Sequence, residues 1–451
     1  MTTEPPAPKD TRLAALRSAL EQGSMRHAQR MINSLYPGEI ASLIESLPPA
    51  KREIVWEFVA PELEGDVLIE LNEDVRSGLI SGMDAEELIA VTEGMEVDDL
   101  ADLIGDLPEK LNQQVLHSMD AQDRERLSTV MRFEQDSAGG LMNLDAVTVR
   151  PDVTLEVVLR YLRMRGELPE RTDRLFVVNR QDKYLGSLDI TQLLIADVER
   201  TVGDVMEAES EGIAPETPAH EVAKLFAERD LVSAAVVDAD GKLLGRITVD
   251  DVVDVIREEA DHSVMSMAGL HEELDMFASV RASARSRALW LGVNLATAFV
   301  AANVVGLFEA TIEKIVALAV LMPIVASMGG IAGSQTLVLI VRGLALGQVG
   351  DANARWLLVR EIAVAALNGA VIATLVGTAA ALWFGQWAVG AIVFAALMIN
   401  LFAAALAGVG VPLVMRRLGI DPALGGSVVL TTVTDVVGFA SLLGLGTLFL
   451  T

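Results

Sequence analysis

The stretch "LTTVTDVVGFASLLGLGTLFL", residues 430–450, decides how the chain is read. It is apolar, dotted with threonine and glycine, and long enough to cross a bilayer core, which takes roughly 20 residues of helix. Its one charge is Asp435. A carboxylate at membrane depth costs about 3 kcal/mol or more unless it faces a protein interior or a watery path. Ser427 and Thr431 precede Asp435 by eight and four residues, so the three share one helical face. A polar stripe ending in a carboxylate reads as a cation path; hydrogen bonding between helices is the other reading.

Four more apolar segments lie upstream, near 288–308, 314–341, 356–384 and 387–414, and the last span covers 424–450. Five spans put the two ends of the chain on opposite sides. Arg281, Arg285, Arg287, Arg342, Arg355, Arg360, Arg416 and Arg417 flank one side, and Lys314 alone flanks the other. The excess of arginine marks the cytoplasmic side, so the N-terminus is expected there and the C-terminus outside. The opening "MTTEPPAPKD" is polar and proline-rich, without a signal-peptide core.

Residues 285–451 hold six acidic and eight basic side chains, so the first 284 residues carry −30 within a total of −28. Phosphate would be repelled by such a surface, which argues against nucleic acid as a partner. A solvated surface and cation binding both suit it. Cysteine is absent, which excludes disulfides and thiolate metal sites.

Two repeats organise the acidic part. Residues 10–131 read as helices, and within them "EIASLIESLP" (39–48) and "DLADLIGDLP" (99–108) share A-x-L-I-x-x-L-P sixty positions apart. Stacked helical units forming a small superhelix follow from this. Further on, "LFVVNRQDKYLGSLDITQLL" (175–194) and "AAVVDADGKLLGRITVDDVV" (234–253) align at a spacing of fifty-nine, with Gly186 over Gly245. Each is a valine-rich strand, a charged turn, a second strand and a helix, with an amphipathic helix ahead of it. This order resembles a tandem of CBS domains. Gly245, Thr248 and Asp251 also fit the G-h-x-T-x-x-D nucleotide pattern of such domains, implying ATP or another adenine nucleotide. Residues 258–284 read as a polar, methionine-bearing connecting helix.

Other residues in the spans carry open readings. Pro323, Gly329, Gly330 and Gln335 in the second span suit either tight packing or a broken, oxygen-lined path. Asp421 either caps the last helix or stands at its inner mouth. Glu309 and Glu313, one turn apart between the first two spans, either concentrate cations outside or are simply solvated. Nothing inside the spans forms a paired acid–base site, a histidine cluster or a phosphate loop, so an enzyme is not expected.

The order of parts is similar to the MgtE-type magnesium channels and transporters. "AGGLM" (138–142), "TVDDVVDV" (248–255), the Gly329–Gly330…Gln335 stretch and "DPAL…TD" in the last span carry the resemblance. It implies a multidomain membrane protein with an all-α superhelical N-terminal domain (10–131), α+β tandem CBS domains (138–200 and 201–257), a connecting helix (258–284) and a five-helix transmembrane domain (285–451). It further implies a homodimer in a bacterial inner membrane, taking up Mg²⁺ through a pore built from the second and fifth spans. Asp435 would bind hydrated Mg²⁺, with Ser427, Thr431, Gly329, Gly330 and Gln335 lining the path and Glu313 outside. Cytosolic Mg²⁺ would close the pore through Asp66, Asp98 and Asp102 of the helical domain, Asp230, Asp251 and Asp254 of the second CBS domain, Glu259 of the connecting helix, and Asp421. Where many members carry asparagines this chain has Ile331, Ala332 and Ser334, and acids of some relatives are replaced by Pro218, His220, Arg257 and His262. Two rivals stay open: transport of another divalent cation such as Co²⁺ or Mn²⁺, and a membrane-anchored nucleotide sensor.

Overall fold

The computed structural model describes residues 24–92, 95–208, 211–270, 275–350 and 352–450. The helical reading of 10–23 and four residues of the connecting stretch, 271–274, lie outside them. The chain divides into two compact units, one of residues up to 260 with 275–278, the other of 261–270 with 279 onward.

The first unit opens with short helices: α1 (Met25–Ile32), α2 (Pro37–Glu45), α3 (Pro49–Trp56), α4 (Pro61–Ile69), α5 (Glu73–Ile80), α6 (Ala85–Thr92), α7 (Val97–Asp106), α8 (Glu109–Ser118) and α9 (Ala121–Val130). Prolines open α2, α3 and α4, where the missing N–H would lack a helical partner anyway. Asn72 and Asp120 cap α5 and α9 by accepting backbone N–H groups. The repeated A-x-L-I is the core-facing part of the repeat: Ala41, Leu43 and Ile44 of α2 and Ala101, Leu103 and Ile104 of α7 are all buried.

The tandem repeat follows as β1 (Thr148–Val149), α10 (Leu155–Arg165), β2 (Arg174–Val178), β3 (Tyr184–Asp189) and α11 (Ile190–Ile195), then α12 (Ala219–Arg229), β4 (Ser233–Val237), β5 (Leu243–Thr248) and α13 (Val249–Met267). β1 runs parallel to β2, β2 pairs antiparallel with β3, and β4 pairs antiparallel with β5. Val177 faces Gly186 and Val236 faces Gly245, each just before an irregularity in the ladder, so the two repeats share one register. Both glycines admit a crossing backbone: an added Cβ would lie 2.2 Å from the Glu207 carbonyl oxygen at Gly186 and 2.6 Å from that of Asn143 at Gly245. Helical domain and second repeat share one hydrophobic core, through Ala138 and Met142 to Val222, Phe226 and Val236, while the first repeat has its own.

The second unit holds five helices long and apolar enough to cross a membrane: α14 (Val280–Gly306), α16 (Val316–Ala345), α17 (Ala354–Phe384), α18 (Trp387–Arg417) and α19 (Pro422–Leu450), here the first to fifth spans. The short α15 (Glu309–Lys314) joins the first two. The fourth span packs on the second, third and fifth and is 56% buried along its most apolar window, against 6% for the first span. The connecting stretch differs from the expected single helix over 258–284. α13 runs on from the second repeat to Met267, and the first-span helix starts at Val280. Gly269, at φ +69°, ends the run, because an L side chain rarely takes that conformation; Trp290 packs where its Cβ would stand.

Candidate functional site

Asp435 is the fourteenth of 29 residues in the fifth span. It is half-buried, and among the described residues its carboxylate accepts no hydrogen bond and joins no ion pair. Thr431 donates its hydroxyl to the Ser427 carbonyl at 2.8 Å, as Thr432 does to Val428 at 2.7 Å. The hydroxyl protons are spent within the helix, so the oxygens remain as acceptors for water along the stripe. At its inner end Ser427 reaches the Met267 carbonyl at 3.4 Å, and His262 Nε2 lies 3.0 Å from Asp421 Oδ2. The last turns of α13 therefore lie against the N-terminal end of the fifth span. A cavity of about 110 Å³ remains there, lined by Met267, Gly269, Trp290, Asn294, Ser427 and Thr431. Asp421 also caps its helix, accepting the Ala423 N–H at 2.9 Å.

In the second span Gly329 and Gly330 differ. Gly329 is buried against the fully buried Asn400 of the fourth span, whose amide donates to the Val325 carbonyl at 2.8 Å. Gly330 has open space beside it, and Gln335 is exposed. Glu361 of the third span, a second intramembrane carboxylate, is neutralised locally: Arg360 donates to it at 2.6 Å and Thr336 at 3.1 Å. The contrast isolates Asp435. At the other end Thr311 of α15 bonds Thr447 of the fifth span at 2.7 Å, which seats the exposed Glu309 and Glu313 beside that end of the helix.

The acids of the first unit gather where α7 meets α13. Burial and the nearby Asp251 push Asp98 well above the ordinary carboxylate range. Burial first, then neighbouring acids, push Asp99 and Asp251 each up to about 7. Burial also raises Asp66, Asp254 and Glu258, with Glu170 adding to Asp66, Asp254 adding to Glu258, and Arg257 opposing the rise at Asp254. Asp102 adds to the field at Asp99 and Glu258. Asn143 holds this edge, donating to Glu96 at 2.6 Å and to Asp98 at 3.4 Å. Among the described residues no three acidic or histidine side chains converge as a cage for a bare ion. The donor set fits Mg²⁺ held through its water shell, since that ion sheds water reluctantly and uses one or two carboxylates.

Asp230 and Glu259 are not drawn in. Asp230 is exposed and ends α12 in a left-handed conformation, and Glu259 is exposed on α13. Of the nucleotide pattern, Thr248 donates its hydroxyl to Asp250 and Asp251, and the Asn143 backbone lies over Gly245. Sequence reasoning missed Glu96, Asp99, Glu258, Asn400 and Glu361. For Asn400 the signal was present, as a lone amide inside an apolar run.

Comparison with known proteins places these features in one family. Residues 35–136 match the MgtE intracellular N domain, 138–199 and 202–258 match the CBS domain, and 322–445 match the MgtE divalent cation transporter. The magnesium transporter MgtE of Thermus thermophilus is 28% identical over 441 residues, 97% of this chain and 98% of its own. That of Bacillus subtilis is 26% identical over 431 residues, 96% of each chain. A crystal structure of the cytosolic domain of the Mg²⁺ channel MgtE in complex with ATP is 29% identical, with a TM-score of 0.50, covering 54% of this chain and 99% of that one. The chain is a multi-pass membrane protein and belongs to the MgtE family of divalent cation transporters.

Proposed function

We propose that the chain is a homodimeric Mg²⁺ channel of the bacterial inner membrane, admitting Mg²⁺ past Asp435 and closing when cytosolic Mg²⁺ rises. The observation that carries this reading is the unpaired Asp435 carboxylate at the middle of an apolar span, at the head of a stripe of acceptor oxygens. Two such carboxylates across a two-fold axis hold a hydrated divalent cation by charge and hydrogen bonds without stripping its water. The sparsely buried first span supports a partner copy, and the arginine asymmetry supports a cytoplasmic N-terminus.

Closure follows from electrostatics. The acids at the α7–α13 contact repel one another, and a divalent cation among them reverses the sign. The parts are the helical domain (10–131), the CBS repeats (138–200 and 201–257), the connecting segment (258–284) and the pore domain (285–451). The ATP-bound relative supports an adenine nucleotide at the CBS pair. Uptake in a host lacking its own Mg²⁺ transporters tests the reading. Asp435→Ala should express and assemble yet lose high-affinity Mg²⁺ uptake, and normal uptake would remove Asp435 from the path. Competition by Co²⁺ or Mn²⁺ below the Mg²⁺ concentration would assign another cation.

A further inference from the structure

The segment just ahead of the first span is anchored to the helical domain. Arg52 of α3 grips Asp275 with both ends of its guanidinium, Nη1 to Oδ2 at 2.7 Å and Nη2 to Oδ1 at 2.6 Å. The two side chains are only 6% and 9% exposed. Arg52 also donates to the carbonyls of Ile44 at 3.2 Å and Glu45 at 3.3 Å, and its guanidinium lies 6.0 Å from the Phe277 ring centre. The Asp275 N–H donates to Asp74 of α5 at 3.0 Å. Three separate contacts thus fix residues 275–277 to the helical domain rather than to the spans, and the segment belongs to that unit.

We propose that the Arg52–Asp275 pair is a strap that makes the first span a mechanical output of the helical domain, in parallel with the connecting helix and without a bound cation. Val280, where α14 begins, is five residue steps on from Asp275, a reach of at most about 18 Å when extended. A displacement of the helical domain that takes Asp275 beyond this reach pulls on the start of α14. A bidentate arginine–carboxylate pair with both side chains largely shielded from water resists such a pull, because separating it breaks two charge-assisted hydrogen bonds at once.

The gating part of the test rests on the Mg²⁺ lock proposed above, so two readouts are taken on the full-length dimer in nanodiscs. Arg52→Met with Asp275→Leu removes both charges together and leaves neither buried alone. We expect amide exchange across 275–279 to quicken at least about tenfold, while amides of the helical core stay unchanged. Mg²⁺ should still protect the 131–142 segment from protease, yet Mg²⁺ at the cytosolic face should no longer fully stop flux. Unchanged exchange across 275–279, or flux that shuts at the wild-type Mg²⁺ concentration, would overturn the strap. Should the wild type itself ignore Mg²⁺, the lock falls. The strap is then decided by whether the double variant alters flux at all.

Discussion

His262 near the end of α13 and Asp421 at the N-terminal end of the fifth span touch, Nε2 to Oδ2, at 3.0 Å. The end of α13 is thereby joined to the fifth span by side chains of the chain itself. A hydrogen bond of this kind contributes about 0.5–1.5 kcal/mol. His262→Ala should therefore raise the cytosolic Mg²⁺ needed for half-closure by about two- to tenfold. A closing curve that superimposes on the wild type would remove this contact from the gate.

Proton and Mg²⁺ should compete at the α7–α13 contact. Asp99 and Asp251 are raised from 3.8 to about 7, first by burial and then by their acidic neighbours. A carboxylate with a raised folded value stabilises the docked arrangement fully below its ordinary range, and loses that contribution as pH climbs through about 7. Without Mg²⁺, protease protection of 131–142 should fall between about pH 6 and about pH 8. Mg²⁺ should restore it at the alkaline end, where the carboxylates are ionised, and add little at the acid end, where protons already neutralise them. The coupled acids should titrate in more than one step. Protection independent of pH across that window would contradict the burial of these acids.

Gly329 and Gly330 should respond oppositely to a single methyl group. An added Cβ at Gly329 would stand 2.2 Å from the Asn400 amide nitrogen, and Gly438 closes the other side of that amide. Gly329→Ala should cost about 1–3 kcal/mol by overpacking, read as a lower melting temperature of the purified protein. Gly330→Ala meets open space and should stay within about 0.5 kcal/mol. Equal melting temperatures for the two variants would refute the packing described at Asn400.

Much of this was legible because apolar length and repeats are strong signals. The five spans, the shared register of Gly186 and Gly245, and the burial of both A-x-L-I segments follow from pattern alone. The break at Gly269 was not legible. Helical periodicity continues across residues 258–284, and only the left-handed backbone and the overlying Trp290 stop it. Asp98 and Asp102 came from the resemblance alone, and nothing local in the sequence marks Asp99, which the fold sets in the field of Asp251 and Glu96. Long-range pairs such as Arg52–Asp275, 223 residues apart, leave no local signature.

The carboxylates of α15 should act by concentrating cations. Glu309 and Glu313 are exposed, so their field is screened within about 8 Å at physiological salt. Glu309→Gln with Glu313→Gln should slow Mg²⁺ uptake at low external Mg²⁺ and low ionic strength only. A deficit that persists at saturating Mg²⁺ would assign them a structural part instead.

The central claim is that Mg²⁺ crosses at Asp435 and that Mg²⁺ on the helical-domain side stops it. Mg²⁺ flux through the purified protein in oriented proteoliposomes, measured while Mg²⁺ at the face bearing the helical domain is raised from micromolar to about ten millimolar, tests both halves at once. The account predicts wild-type flux that is fast at micromolar Mg²⁺ and falls steeply in the millimolar range, with Asp435→Asn giving no saturable flux at any concentration. Saturable flux through Asp435→Asn at the wild-type rate, or wild-type flux indifferent to Mg²⁺ at that face, would contradict it.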